Sequence, residues 1–181
     1  MLKYFAERGL EQFRERYDYD VSYMKYMLKT SPNAFFKFAK IMDASKHHEA
    51  APLEALYAAK LVGAIIEDCG PCVQLVVKMA GEAGMDAGQI KAVLKRDIET
   101  MNEDTALGFQ FADTLVRRAY NADDVRDVVR TAWGDAGVID LALALQIGRL
   151  FPMVKAALGY ATTCHRVKID EVLCDVVKTA A

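Results

Sequence analysis

Two cysteines three positions apart, Cys69 and Cys72, are the residues of this chain best suited to chemistry. They stand in the stretch LVGAIIEDCGPCVQLVV, between two apolar runs with helical periodicity. Thiols at this spacing can close into an easily reduced disulfide, and can therefore exchange electrons with a small oxidant or with another disulfide. If the second run begins a helix at the pair, its free N–H groups and positive dipole end favour a thiolate. The motif thus predicts a redox-active pair.

Two other interpretations of the pair are open. The cysteines could be small hydrophobic residues at a helix junction, or half of a four-ligand zinc site. Zinc needs two further ligands, and the remaining Cys164, His165 and Cys174 lie far along the chain without a second close cysteine pair. We therefore expect no metal and no cofactor.

Composition and charge narrow the class of protein. The chain has 181 residues, of which 53% are hydrophobic and 27% charged, with a formal net charge of −2, so it suits one domain with a sizeable core. No basic stripe suggests nucleic acid. The opening MLKYFAERGLEQFRER is too charged for a signal peptide, and the longest apolar stretches, 61–66 and 138–145, are far shorter than a membrane span. We expect a cytoplasmic protein that binds neither nucleic acid nor membrane, with its cysteines in a reducing compartment.

Helical periodicity continues along the chain, and no run alternates as a strand would. Breaks are set by Ser31-Pro32, by Asp68 to Pro71 and by Gly134, each with residues that cap, start or end helices. The predicted helices cover residues 2–17, 23–28, 32–42, 52–66, 73–83, 86–94, 104–119, 122–129, 138–150 and 169–177. The prediction is an all-α fold, a compact bundle of about eight to ten helices.

Three stretches in this order, ALYAAKLVGAIIEDCGPCVQLVV, ALGFQFADTL and GDAGVIDLALALQIGRLF, resemble the carboxymuconolactone decarboxylase family. The resemblance is closer to its alkylhydroperoxidase, or AhpD-like, branch, and covers roughly residues 53–161. It implies an AhpD-like helical bundle in which 1–181 form one domain and 1–50 are a helical N-terminal extension. We expect a homo-oligomer (a dimer, trimer or hexamer), because the family assembles and because residues 1–50 carry much aromatic and methionine surface.

The resemblance also implies roles for the pair. In AhpD-like members, which are thiol peroxidases, Cys72 would be the attacking thiol and Cys69 the resolving one. The chain departs from the family at two positions of the proton relay, with Val76 in place of a histidine and Tyr57 in place of a glutamate. Valine cannot move a proton, and a tyrosine with an ordinary pKa of about 10 is a poor base.

Other side chains could replace the missing relay. Glu54 lies one helical turn before Tyr57, so both can share a face, and it is the first choice for a third catalytic residue. Glu67 and Asp68 adjoin the pair, although carboxylates there raise a thiol pKa. Gln74 can form hydrogen bonds but carries no charge. Tyr57, Glu67, Asp68 and Gln74 are therefore the possible relay residues.

Three functions follow from these observations. The first is a thiol oxidoreductase that reduces a small-molecule peroxide or the disulfide of a redox partner protein. The second is a non-redox lyase or decarboxylase on a small acid, which would want a cationic side chain facing the pocket, with Arg149 as the candidate. The third is a catalytically inactive helical oligomer that keeps the cysteine pair.

Overall fold

The computed structural model of the chain describes residues 2–162, 166–170 and 172–177. Within these ranges it is all-α apart from one small hairpin, as the periodicity predicts. The helices are α1 (Leu2–Tyr17), α2 (Ser22–Thr30), α3 (Pro32–Ala44), α4 (Leu53–Ile66), α5 (Gly70–Glu82), α6 (Ala87–Lys95), α7 (Glu103–Val116) and α8 (Ala122–Ala157). A 3₁₀ turn, Ile98–Thr100, precedes α7, and strands β1 (Arg166–Ile169) and β2 (Val172–Asp175) follow α8.

The helix starts follow the capping residues. The Ser31 hydroxyl accepts a hydrogen bond from the Ala34 N–H, and Pro32 occupies the first turn of α3. The Asp86 carboxylate caps α6 by accepting from the N–H groups of Gly88 and Gln89. These side chains satisfy N–H groups that have no partner inside the helix, which is why the breaks can be predicted from sequence.

The predicted last helix, 169–177, is wrong. Residues 166–169 and 172–175 instead form an antiparallel hairpin, in which Val167 pairs with Cys174 and both side chains are buried. The short runs are rich in β-branched residues, which favour strands. Tertiary contacts complete the preference, since the Gln74 side chain binds the backbone of Lys168, and the Val177 N–H donates to the Leu94 carbonyl.

Helix α8 consists of two helical segments that meet at a kink at Gly134, so the break predicted at this glycine is confirmed. Only Gly134 within it departs from helical geometry, with a φ of 69° that glycine adopts without strain. Pro152 lies inside the second segment, which continues to Ala157. By length and composition alone α8 could cross a membrane. In its most apolar stretch of 18 residues, 39% is buried inside the protein. Buried core helices share that composition, so the expectation of no membrane contact stays a prediction.

The main core lies where α4 packs against α7 and α8. Glycines allow the close approach: a methyl group on Gly63 would overlap the Leu145 carbonyl, and one on Gly148 the Lys60 carbonyl. This fixes α4 against the second half of α8, and both helices contribute to the cavity described below.

A second apolar cluster joins the N-terminal extension to the cysteine pair. Side chains from α1 to α3, among them Leu10, Tyr23 and Phe38, pack with Cys69 and Cys72. Most of the aromatic surface of residues 1–50 is thus buried within the chain itself, while Leu2, Tyr4 and Phe5 remain exposed.

Asp140 of α8 anchors the loop before α4 from a fully buried position. Its carboxylate accepts hydrogen bonds from the N–H groups of Glu49, Ala50 and Ala51, and lies 3.2 Å from His47 Nε2. Burial alone would raise the pKa of Asp140, but these backbone hydrogen bonds outweigh it and lower the pKa below the ordinary 3.8.

We expect Asp140→Ala to lower the free energy of unfolding at neutral pH by about 2 kcal/mol, because three backbone N–H groups, of which that of Ala51 is buried, lose their acceptor. A folded pKa below the unfolded one stabilises the protein above the unfolded pKa, and this contribution is lost as pH falls through the folded pKa. Urea unfolding should therefore show the gap between wild type and variant shrinking below about pH 4. Asp135→Ala, at a side chain 80% exposed in a surface ion pair, is the control. An equal loss of unfolding free energy in both variants would contradict the role of Asp140 in holding the loop before α4.

Candidate active site

The cysteine pair lies at the start of α5. Asp68, with a φ of 52°, turns the chain out of α4, and Cys69 is the N-terminal cap residue, with Pro71 in the first turn. Cys69 and Cys72 are joined as a disulfide, with their Cα atoms 5.3 Å apart. The N–H groups of Cys72 and Val73 both donate to the Cys69 carbonyl at 3.0 Å. The predicted pairing is therefore present in the structure, at a helix N-terminus that favours negative charge.

Cys72 forms part of the wall of a cavity of about 1130 Å³ between α1, α2, α3, α4, α5 and α8. Most of the wall is apolar and includes Phe13, Phe36, Leu56, Leu75, Met79 and Phe151. Cys72 is 3% exposed and Cys69 is fully buried, because the N-terminal extension covers them. The cavity thus gives a small molecule a place beside Cys72, whereas the surface of another protein cannot reach the pair without moving α1 to α3.

Tyr19, in the link between α1 and α2, is the polar group against the sulfur. Its hydroxyl lies 3.5 Å from Cys72 Sγ, and its side chain is buried. Burial raises the pKa of Tyr19 to about 12. Because the hydroxyl therefore keeps its proton at neutral pH, it can donate a hydrogen bond to a Cys72 thiolate.

Lys155 of α8 packs against the ring face of Tyr19. Its side chain is 1% exposed, and its Nζ lies 4.7 Å from the centre of the Tyr19 ring and 3.7 Å from Asp20 Oδ2. Burial lowers the pKa of Lys155, and the Asp20 carboxylate opposes that shift. The contact of the ammonium with the ring face holds Tyr19 in place beside the sulfur.

The structure separates most of the predicted relay residues from Cys72. Tyr57 lines the cavity, as does Val76 at the position of the family's histidine. Burial raises the pKa of Tyr57, which makes this side chain a still poorer base near neutral pH.

The other predicted residues have different partners. The Glu54 carboxylate accepts a hydrogen bond from the Asn102 side chain, which caps α7, and does not line the cavity. Gln74 is bound to the hairpin, and Asp68 contributes the turn. Glu67 forms an ion pair with Arg149 at 2.7 Å. Arg149, the candidate cation of the lyase hypothesis, is therefore held by Glu67 and is not among the residues that line the cavity.

Tyr19 and Lys155 were not predicted from the sequence. Tyr19 lies in the N-terminal extension, outside the stretch that the family resemblance covers, and Lys155 looks like an ordinary lysine near a helix end. Their only signal is the three-dimensional packing of the extension over α5 and α8. Within the described residues no three His, Cys, Asp or Glu side chains gather as a metal site, while Cys164 and His165 lie outside them.

Comparison with known proteins adds no relative: no family model, no curated protein and no solved structure matches the chain. The resemblance to the carboxymuconolactone decarboxylase family therefore stays a prediction, and a function has to be argued from the geometry of the site.

Proposed function

We propose that this protein is a thiol peroxidase that reduces small organic hydroperoxides through the Cys69–Cys72 couple. The observation that carries the proposal is the position of Cys72, which is paired with Cys69 and also lines an apolar cavity large enough for an organic ligand. The resemblance to AhpD-like proteins supports the same roles, with Cys72 attacking and Cys69 resolving.

The reaction begins from the reduced dithiol. The Cys72 thiolate attacks the terminal peroxide oxygen, the O–O bond breaks, and Cys72 becomes a sulfenic acid while the leaving alkoxide takes a proton to give the alcohol. The Cys69 thiol then attacks the Cys72 sulfur, forming the disulfide and releasing water. In sum, two thiols and one hydroperoxide give one disulfide, one alcohol and one water. An external dithiol restores the thiols by exchange.

Tyr19 takes the place of the relay that Val76 and Tyr57 cannot supply. Its O–H donates to the Cys72 thiolate and so raises the thiolate fraction at neutral pH, adding to the effect of the α5 N-terminus. We expect the same hydroxyl to donate its proton to the leaving alkoxide as the O–O bond breaks.

A peroxide suits this site better than the disulfide of a partner protein. Exchange between proteins needs direct contact of a thiolate with the partner's sulfur, and both cysteines lie beneath the N-terminal extension. A small molecule enters through the cavity without displacing a helix. We place the protein in a reducing cytoplasm, where small dithiols can keep the pair reduced.

The direct test is steady-state reduction of cumene hydroperoxide with dithiothreitol as the reductant. We expect turnover that saturates with the peroxide and that yields cumyl alcohol. If the disulfide forms readily but no turnover follows, the result supports the inactive oligomer. If the cysteine pair never oxidises, the result favours the lyase hypothesis.

We also propose that the protein is a homo-oligomer. On α8, Val128, Ile139 and Leu143 are exposed apolar side chains, and a second copy of the chain could cover them. Multi-angle light scattering at micromolar concentration should give a molar mass of at least twice the chain mass of 20.1 kDa. A mass equal to one chain would overturn this proposal and leave the peroxidase proposal standing.

A further inference from the structure

The cavity beside Cys72 is larger than a small peroxide requires. At about 1130 Å³ it slightly exceeds the ~300–1,000 Å³ typical of ligand pockets. Its wall is built from aromatic and aliphatic side chains of six helices, and such a surface favours a long apolar ligand over a small polar one.

One cationic group in this wall has no acidic partner among the described residues. Lys60 of α4 lines the cavity, its Nζ donates to the Ser45 carbonyl at 2.9 Å, and the ammonium lies 4.9 Å from the centre of the Tyr57 ring. In the described part of the chain no acidic side chain pairs with it. Burial lowers the pKa of Lys60, which reflects the cost of a partly buried cation without an anion.

The other ionisable groups around the cavity have partners within the protein, and His48 Nε2 lies 2.8 Å from the Ala51 carbonyl oxygen. Glu82 pairs with Arg16 and accepts a hydrogen bond from Tyr17, Asp43 pairs with Lys46, and His47 lies against Asp140. Among the described residues of the wall, Lys60 is thus a cation without an acidic partner, and a ligand can balance its charge. After its bond to Ser45, the ammonium keeps two N–H donors, which suits a carboxylate.

We propose that the cavity binds a long-chain monocarboxylic acid, with the carboxylate at Lys60 and the chain along the apolar wall that includes Cys72. If the proposed peroxidase function holds, on which this step rests, the preferred substrates are hydroperoxides of such acids. The carboxylate would fix one end of the substrate, and the chain would place the peroxide near the sulfur.

The test is calorimetric binding of laurate and of 1-dodecanol to the oxidised protein. The disulfide form performs no peroxide chemistry, so binding is measured independently of the proposed function. We expect wild type to bind laurate, Lys60→Met to weaken laurate about tenfold through the lost charged contact, and 1-dodecanol to change less than about twofold. Lys60→Arg, which keeps the charge, should restore most of the laurate affinity, and Lys29→Met, at an exposed lysine of α2, is the matched control.

Three results would overturn the inference. If wild type binds no laurate, a long-chain carboxylic acid is not the ligand of the cavity. If Lys60→Met binds laurate as tightly as wild type, the Lys60 charge does not contribute to binding. Equal losses for laurate and 1-dodecanol would show that Lys60 only supports the shape of the cavity. None of these results bears on cumene hydroperoxide turnover, which tests the peroxidase function separately.

Discussion

Replacing Cys72 by serine is expected to lower the rate of hydroperoxide reduction by about 1,000-fold or more, because a serine hydroxyl is a far weaker nucleophile than a thiolate at neutral pH. Cys69→Ser should behave differently. Its Cys72 still attacks the peroxide once, but the sulfenic acid finds no resolving thiol, so alcohol forms in one burst without further turnover until the reductant itself attacks.

Cys174→Ser is the matched control. Cys174 is a buried cysteine without a disulfide, lies in β2 opposite Val167, and does not line the cavity. It should keep wild-type turnover. A burst from Cys72→Ser and none from Cys69→Ser would reverse the two roles, and normal turnover in both variants would place the chemistry elsewhere.

Tyr19→Phe is expected to lower the rate at neutral pH by about tenfold. A hydrogen bond to a charged group contributes ~1.5–3 kcal/mol, and its loss lowers the thiolate fraction of Cys72. The effect on the rate is smaller than this energy implies, because a thiolate without the hydrogen bond is also the stronger nucleophile. The hydrogen bond favours the thiolate, so its loss should move the rise of the pH–rate profile to higher pH. The gap between wild type and variant should shrink well above the ordinary thiol pKa of about 8.5.

Two controls separate this role from a structural one. Tyr23→Phe removes a neighbouring buried hydroxyl that interacts with Tyr19, while the hydroxyl next to Cys72 Sγ stays in place, so it should change the rate less than about threefold. Glu54→Gln should also have little effect, because Glu54 binds Asn102 outside the cavity. A pH profile unchanged by Tyr19→Phe, or a collapse in Glu54→Gln, would contradict the assignment of Tyr19.

Local signals explain what the sequence predicts well. Capping at Ser31 and Asp86 and the Cys69–Cys72 spacing depend on a few neighbouring residues, so they can be inferred without the fold. The hairpin of residues 166–169 and 172–175 escaped prediction because its strands are four residues long and depend on contacts with α5 and α6.

The relay was harder to predict because it depends on packing between distant segments. Glu54 lies one helical turn from Tyr57, as the spacing predicts. Its carboxylate, however, accepts a hydrogen bond from Asn102, the N-terminal cap residue of α7. Tyr19 reaches Cys72 over 53 positions of sequence, through the folding of the N-terminal extension over α5. No periodicity in a single chain predicts such a contact.

The most direct test of the account is a single turnover of the fully reduced protein with one equivalent of cumene hydroperoxide, excluding air and reductant. Of its four cysteines, two should lose their free thiols, mass spectrometry of the digest should locate the new disulfide at Cys69 and Cys72, and one cumyl alcohol should form per disulfide. Alcohol without that disulfide, or both thiols still alkylated after all the peroxide is added, would contradict the proposed mechanism.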